Sequence, residues 1–165
     1  MIDLKENIKI VEVFISKNIS KFQKENGTAK TIGIYSHPVY GWVSINFNKT
    51  KTLEEVGSNC PDFEFPEFDL IEFPEWEKQY FDESETVIKT ENGETITLDE
   101  EDGDEGLKKP IFNFLKSTLT NITTKNPNSE FFVQMLDSEL EEKIKITQHN
   151  TSVIAKAFRK FFGSK

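Results

Sequence analysis

Leu4, Ile8, Val11, Ile15, Ile19 and Phe22 recur every three or four residues, which is one stripe of an amphipathic helix. Lys5, Glu12, Lys17, Lys21 and Lys24 fall mostly off the stripe, and Asn26-Gly27 supplies a stop. The spacing predicts a helix over residues 3–25 whose apolar face turns inward. Beyond Gly27 the period shortens to two. Residues 31–36 and 42–48 read as strands, and the intervening Ser36-His37-Pro38-Val39-Tyr40-Gly41 has proline and glycine at turn positions. In the second strand Val43, Ile45 and Phe47 share one face, with Trp42, Ser44 and Asn46 on the other. Residues 50–56 begin a short helix, in which Glu55 follows Thr52 at capping-box distance.

The next stretch breaks the pattern. Phe63, Phe65 and Phe68 lie among Pro61, Pro66 and Pro74, which delete ladder donors, so the expectation is extended edge or loop structure rather than a central strand. Residues 74–81 predict a helical turn on which Trp76, Tyr80 and Phe81 share a face. Residues 86–91 and 94–98 flank Asn92-Gly93, a hairpin signal suited to a type I′ turn. Residues 99–105 hold six acids and one glycine and read as a solvated loop. Ile111, Leu115, Leu119 and Ile122 then mark a helix with Pro110 in its first turn. Residues 130–136 and 143–148 have strand patterns, and residues 152–162 predict a closing helix with a basic end. The order of elements is that of a single α+β domain over residues 1–165, its mainly antiparallel sheet packed with N-terminal, middle and C-terminal helices.

Charge changes this picture more than composition does. Residues 60–105 carry 18 acidic side chains against Lys78 and Lys89, a net of −16 in a chain whose total is −9, so the remainder nets +7. Hydrophobic residues make up only 36 % of the chain, offset by 15 phenylalanines, each able to bury about 150–250 Å². The acidity argues against a nucleic-acid partner, whose phosphates demand lysine and arginine, and against an anionic membrane surface. A start without a basic, apolar leader and the lack of a membrane-length apolar run lead us to expect a cytoplasmic protein. Cys60 stands alone, which leaves no internal disulfide.

Candidate chemistry is sparse. The acids at 99–105 invite calcium, but counting twelve positions from Asp99 ends on Pro110 rather than on the closing glutamate of an EF-hand loop. No cofactor is implied. His37, one of two histidines, sits near Tyr35, Tyr40 and Trp42, where a small-molecule or enzymatic pocket is the alternative reading. Cys60 in acidic surroundings has its thiolate disfavoured. No nucleophile, metal or phosphate-loop signature accompanies them.

What stands out is the acidic, aromatic segment as a surface that steers and anchors a basic protein partner. Its candidate contacts are Asp62, Glu64, Glu67, Asp69, Glu72, Glu75 and Trp76, with a second patch at Asp99, Glu100, Glu101 and Asp102. The competing view is that the rings are core and the acids only solvate the chain. A third view is a subunit of a larger assembly, joined through the N-terminal stripe or through Phe158 and Phe162.

The succession of N-terminal helix, Ile34-Tyr35, Gly41-Trp42-Val43-Ser44-Ile45-Asn46, Thr52-Leu53-Glu54-Glu55 and an acidic stretch ending Glu75-Trp76-Glu77 resembles the small immunity proteins of bacterial toxin competition systems. The resemblance implies a non-enzymatic protein that blocks a basic toxin domain, and it transfers no active residue.

Overall fold

The computed structural model describes residues 1–80, 85–99 and 102–144, without the side chains of 78–80. The apolar stripe becomes helix α1, Leu4–Asn26, entered directly from a two-residue strand β1, Ile2–Asp3. Asp3 caps the helix: its Oδ1 accepts from the amides of Lys5 and Glu6, and its Oδ2 accepts from Lys89 Nζ at 2.9 Å. Gly27 ends the helix at φ +87°.

Strands β2 (Thr31–His37), β3 (Trp42–Asn48), β4 (Phe65–Glu72), β7 (Glu130–Met135) and β8 (Glu141–Ile144) form a five-stranded sheet in the order β4-β3-β2-β7-β8. Only β2 and β7 run parallel; the other neighbours are antiparallel. A smaller sheet joins β1 to the hairpin of β5 (Thr86–Lys89) and β6 (Thr95–Leu98). Helices α2 (Pro74–Tyr80) and α3 (Gly103–Thr123) complete an α+β fold.

Several boundaries differ from expectation. The hairpin holds only one positive φ, at Gly93, so its loop is not type I′. Thr90 N–H donates to the Glu94 carbonyl and Gly93 N–H to the Thr90 carbonyl, a three-residue connection closed by glycine. Helix α3 starts inside the stretch read as a loop, with Asp104 and Glu105 in its first turn, where acids complement the helix dipole. Pro110 consequently lies inside the helix and removes one of its hydrogen bonds. β8 begins two residues before the predicted strand; residues 145–148 and the predicted helix at 152–162 lie outside the described residues.

β2 is buried along its whole length. One face of the sheet, with Ile32, Ile34, Val43, Ile45, Phe47, Phe131 and Val133, joins the apolar sides of α1 and α3 in the main core. Each such side chain contributes about 1.5–3 kcal/mol by leaving water. Among the described residues the other face carries no α-helix. A loop lays Leu53, Val56, Cys60 and Phe63 over Tyr35 and Phe132. Two residues of β7 hold the loop down: Glu130 accepts from Leu53 N–H at 3.0 Å, and Gln134 Oε1 accepts from Cys60 N–H at 2.9 Å. The capping box is formed as well, with Thr52 N–H and Glu55 N–H each bonded to the other's side chain.

The proline-broken segment is indeed an edge strand, but a bulged one. Ile45 stands opposite Asp69 and Phe47 opposite Phe65, so Asn46 alone faces Pro66, Glu67 and Phe68. Glu67 adopts φ +44°. Buried Asn46 fills the gap, its Oδ1 accepting from Glu67 N–H at 2.8 Å and its Nδ2 donating to the Gly33 carbonyl. The bulge sends both Phe65 and Phe68 to the helical side, where they meet Phe22 edge-on while Phe22 stacks on Phe47 at 4.3 Å.

At Gly33 the loop lies directly against the sheet. A Cβ there would lie 2.7 Å from Cys60 Sγ and 2.9 Å from Phe63 Cε2. Gly33→Ala should therefore lower the urea midpoint, at a cost of about 1–3 kcal/mol from overpacking, and an unchanged midpoint would contradict this packing. Cys60 is fully buried and burial pushes its thiol far up. It should react with a thiol reagent only at the rate of unfolding, with Gly33→Ala speeding that reaction.

Candidate binding face

The loop covers only one half of its face of the sheet. From Tyr35, at the margin of the loop, cross-strand neighbours lead onto the other half: Tyr35 stands beside Ser44, Ser44 beside Leu70, His37 beside Trp42 and Trp42 beside Glu72. Ser44 is wholly buried under these rings, whereas Leu70 is 40 % exposed and Tyr40, at the end of the face, 59 %. Tyr35 and Trp42 meet edge-on at 5.6 Å, and His37 and Tyr40 at 4.5 Å. Glu67 and Glu72 are exposed, and among the described residues no cation pairs with either. Exposed Asp137, at φ +52° in the β7–β8 turn, adds a third carboxylate. The phenol of Tyr35 is pushed up, first by burial and then by the fields of Cys60, Asp137 and Glu67. Tyr35, Asn46, Pro61, Pro66 and Glu67 also line a cavity of about 140 Å³ at the bulge. The result is a small apolar platform rimmed by negative charge.

A buried corner supports it. Lys108 of α3 is 3 % exposed; its ammonium donates to Glu105 Oε1 at 3.1 Å and to the Asp137 carbonyl at 2.8 Å, which ties the β7–β8 turn to the helix. His37 is 6 % exposed, and its Nδ1 has no hydrogen-bond partner among the described residues. Burial lowers its pKa, and Lys108 lowers it further, against the opposing pull of Asp137 and Asp104. The neutral ring therefore acts as packing beneath Tyr40 and Trp42.

The acids singled out in the sequence divide sharply. Glu67 and Glu72 reach the open face. Glu64 instead accepts from Thr50 N–H at 2.8 Å and Thr50 Oγ1 at 2.6 Å, contacts that hold its carboxyl below the usual range. Asp62 accepts from Asn59, and Glu75 from Asn7. Asp69 stands opposite Ile45 and so on the helical side. Trp76 must be corrected: it has no exposed surface, stacks on Phe73 at 4.2 Å and donates its indole N–H to Asn7 Oδ1 at 3.1 Å. A tryptophan spent on the core in this way has no face left for a partner. Asp99 and Asp102 bracket the turn into α3, Asp99 N–H donating to Asp102 Oδ2, while Glu100 and Glu101 lie outside the described residues.

Rings and acids thus come together, but not from one linear segment. Tyr35, Tyr40 and Trp42, read in the sequence as a pocket, form one platform with Glu67 and Glu72 of the acidic stretch. Leu70 and Asp137 carried no signal of their own, since only the strand register brings them here.

Because His37 is held neutral, stability should be complete above its ordinary pKa of about 6.5 and fall as pH drops below it, where the unfolded chain takes up a proton that the native ring resists. A urea midpoint that declines between pH 7 and 5, with a shallower decline in His37→Gln, is expected; an NMR titration of His37 with a midpoint above the ordinary value would refute it.

Comparison with protein-family models, with curated proteins and with solved structures found no match for this chain.

Proposed function

We propose that this chain is a non-enzymatic binding protein that sequesters a basic protein partner on the open face of its five-stranded sheet. The observation that carries the reading is the placing of Glu67 and Glu72, which have no cationic partner among the described residues, beside the exposed Leu70 and Tyr40 and the partly exposed Trp42. Half-exposed Tyr and Trp anchor interfaces when water is excluded around them. Carboxylates at the rim steer a basic partner and raise its on-rate. A toxin domain with a basic cleft is the partner that the resemblance to immunity proteins suggests, since carboxylates take the places of nucleic-acid phosphates in such a cleft. This reading uses the face without assigning any bond-making role to His37, whose buried neutral ring is fitted for packing.

The test is calorimetric titration against purified proteins coded beside this gene. Trp42→Ala should weaken binding by at least about 2 kcal/mol, roughly thirtyfold. The double variant Glu67→Lys, Glu72→Lys should weaken it further, and more at 50 mM than at about 500 mM salt. Glu25→Lys, at the exposed end of α1, is the control and should leave affinity unchanged. Equal losses from the control and the face variants would sink the assignment.

A further inference from the structure

The chain's last 21 residues have the chemistry that this face selects. Residues 145–165 contain Lys145, Lys156, Arg159, Lys160 and Lys165, no acid, and the rings of Phe158, Phe161 and Phe162. We propose that this same segment, centred on residues 156–162, is an internal occupant of the open face and competes there with the basic partner. The inference rests on the reading of the face given above.

Two observations choose the seat. β8 ends at Ile144, beside β7 and three strands from β3. Ile144 lies level with Phe47 in the register, so with strands about 4.8 Å apart and a rise of about 3.3 Å per residue the diagonal crossing to the Trp42–Leu70 platform is about 20–25 Å, whereas the eleven residues 145–155 span up to about 36 Å when extended. Another exposed apolar spot among the described residues, Ile10 and Val13 on α1, has exposed Lys9 and Lys17 against exposed Glu6 within one turn and so offers a cationic segment no net attraction. Glu67, Glu72 and Asp137 attract it. Tethering supplies an effective concentration in the millimolar range, so a contact far weaker than the partner's is enough to keep the face occupied. The partner's apparent affinity is then reduced by the fraction of chains whose face is free.

The full-length chain carrying Lys160→Cys can be labelled with a nitroxide, because native Cys60 is buried. The two tryptophans serve as reporters. The Trp42 indole N–H signal should broaden, the Trp76 signal much less, and Glu67→Lys with Glu72→Lys should restore Trp42. Mixing labelled chains with isotope-labelled, spin-free ones should give no broadening. Broadening in that mixture would replace the internal segment with a second copy, and a Trp42 signal untouched at low salt would overturn the proposal. As a second measurement, a free peptide of residues 145–165 should bind full-length Arg159→Glu, Lys160→Glu several-fold tighter than the unsubstituted chain. Equal binding, or none to either, would count against internal occupancy while leaving the partner titration to judge the face itself.

Discussion

A strand paired on both edges and buried on both faces has to be roofed twice, and β2 is such a strand. Helices α1 and α3 roof one face with ordinary aliphatic and aromatic packing. The other is roofed by the sixteen-residue connection 49–64, held by hydrogen bonds to Glu130 and Gln134 and brought close by the missing side chain of Gly33. So short a cover cannot span five strands. The exposed platform is what remains, and its rings are there because Ser44 and the polar backbone edges beneath them still have to be shielded from water.

Charge and packing are separated along the acidic segment by the same geometry. Its rings Phe63, Phe73 and Trp76 turn inward, and several of its carboxylates are consumed by nearby amides, hydroxyls and carboxamides. Among the described carboxylates left without such a task are Glu67 and Glu72. These two lie beside apolar surface supplied by a different part of the chain, which gives the two features a common address.

Local periodicity made much of the fold legible. The stripe from Leu4 to Phe22, the alternation in Val43-Ser44-Ile45-Asn46-Phe47 and the box at Thr52 and Glu55 each express contacts within a few residues, and each forms as read. The parallel pairing of β2 with β7 was not legible, because it joins residues about a hundred positions apart and leaves no local trace. The bulge at Glu67 was hidden for a related reason: a three-residue step between Phe65 and Phe68 fits neither a strand nor a helix until Asn46 is seen to bridge it. The acids at Asp104 and Glu105 argued for a loop by composition, yet the same charges favour the start of α3. Trp76 was misplaced because tryptophan beside acids describes an interface as well as it describes a buried indole with an asparagine acceptor.

The bulge has a consequence for association. β4 is an outer strand of the sheet, and outer strands with free amides and carbonyls invite a further strand from another molecule. Here Pro66 has no amide hydrogen, Glu67 is twisted out of the extended region, and its N–H is already taken by Asn46. The margin is therefore a poor template for main-chain addition, and self-association into continuous sheets is discouraged on that side. Recognition is left to side chains, which can tell one visitor from another in a way that backbone pairing cannot.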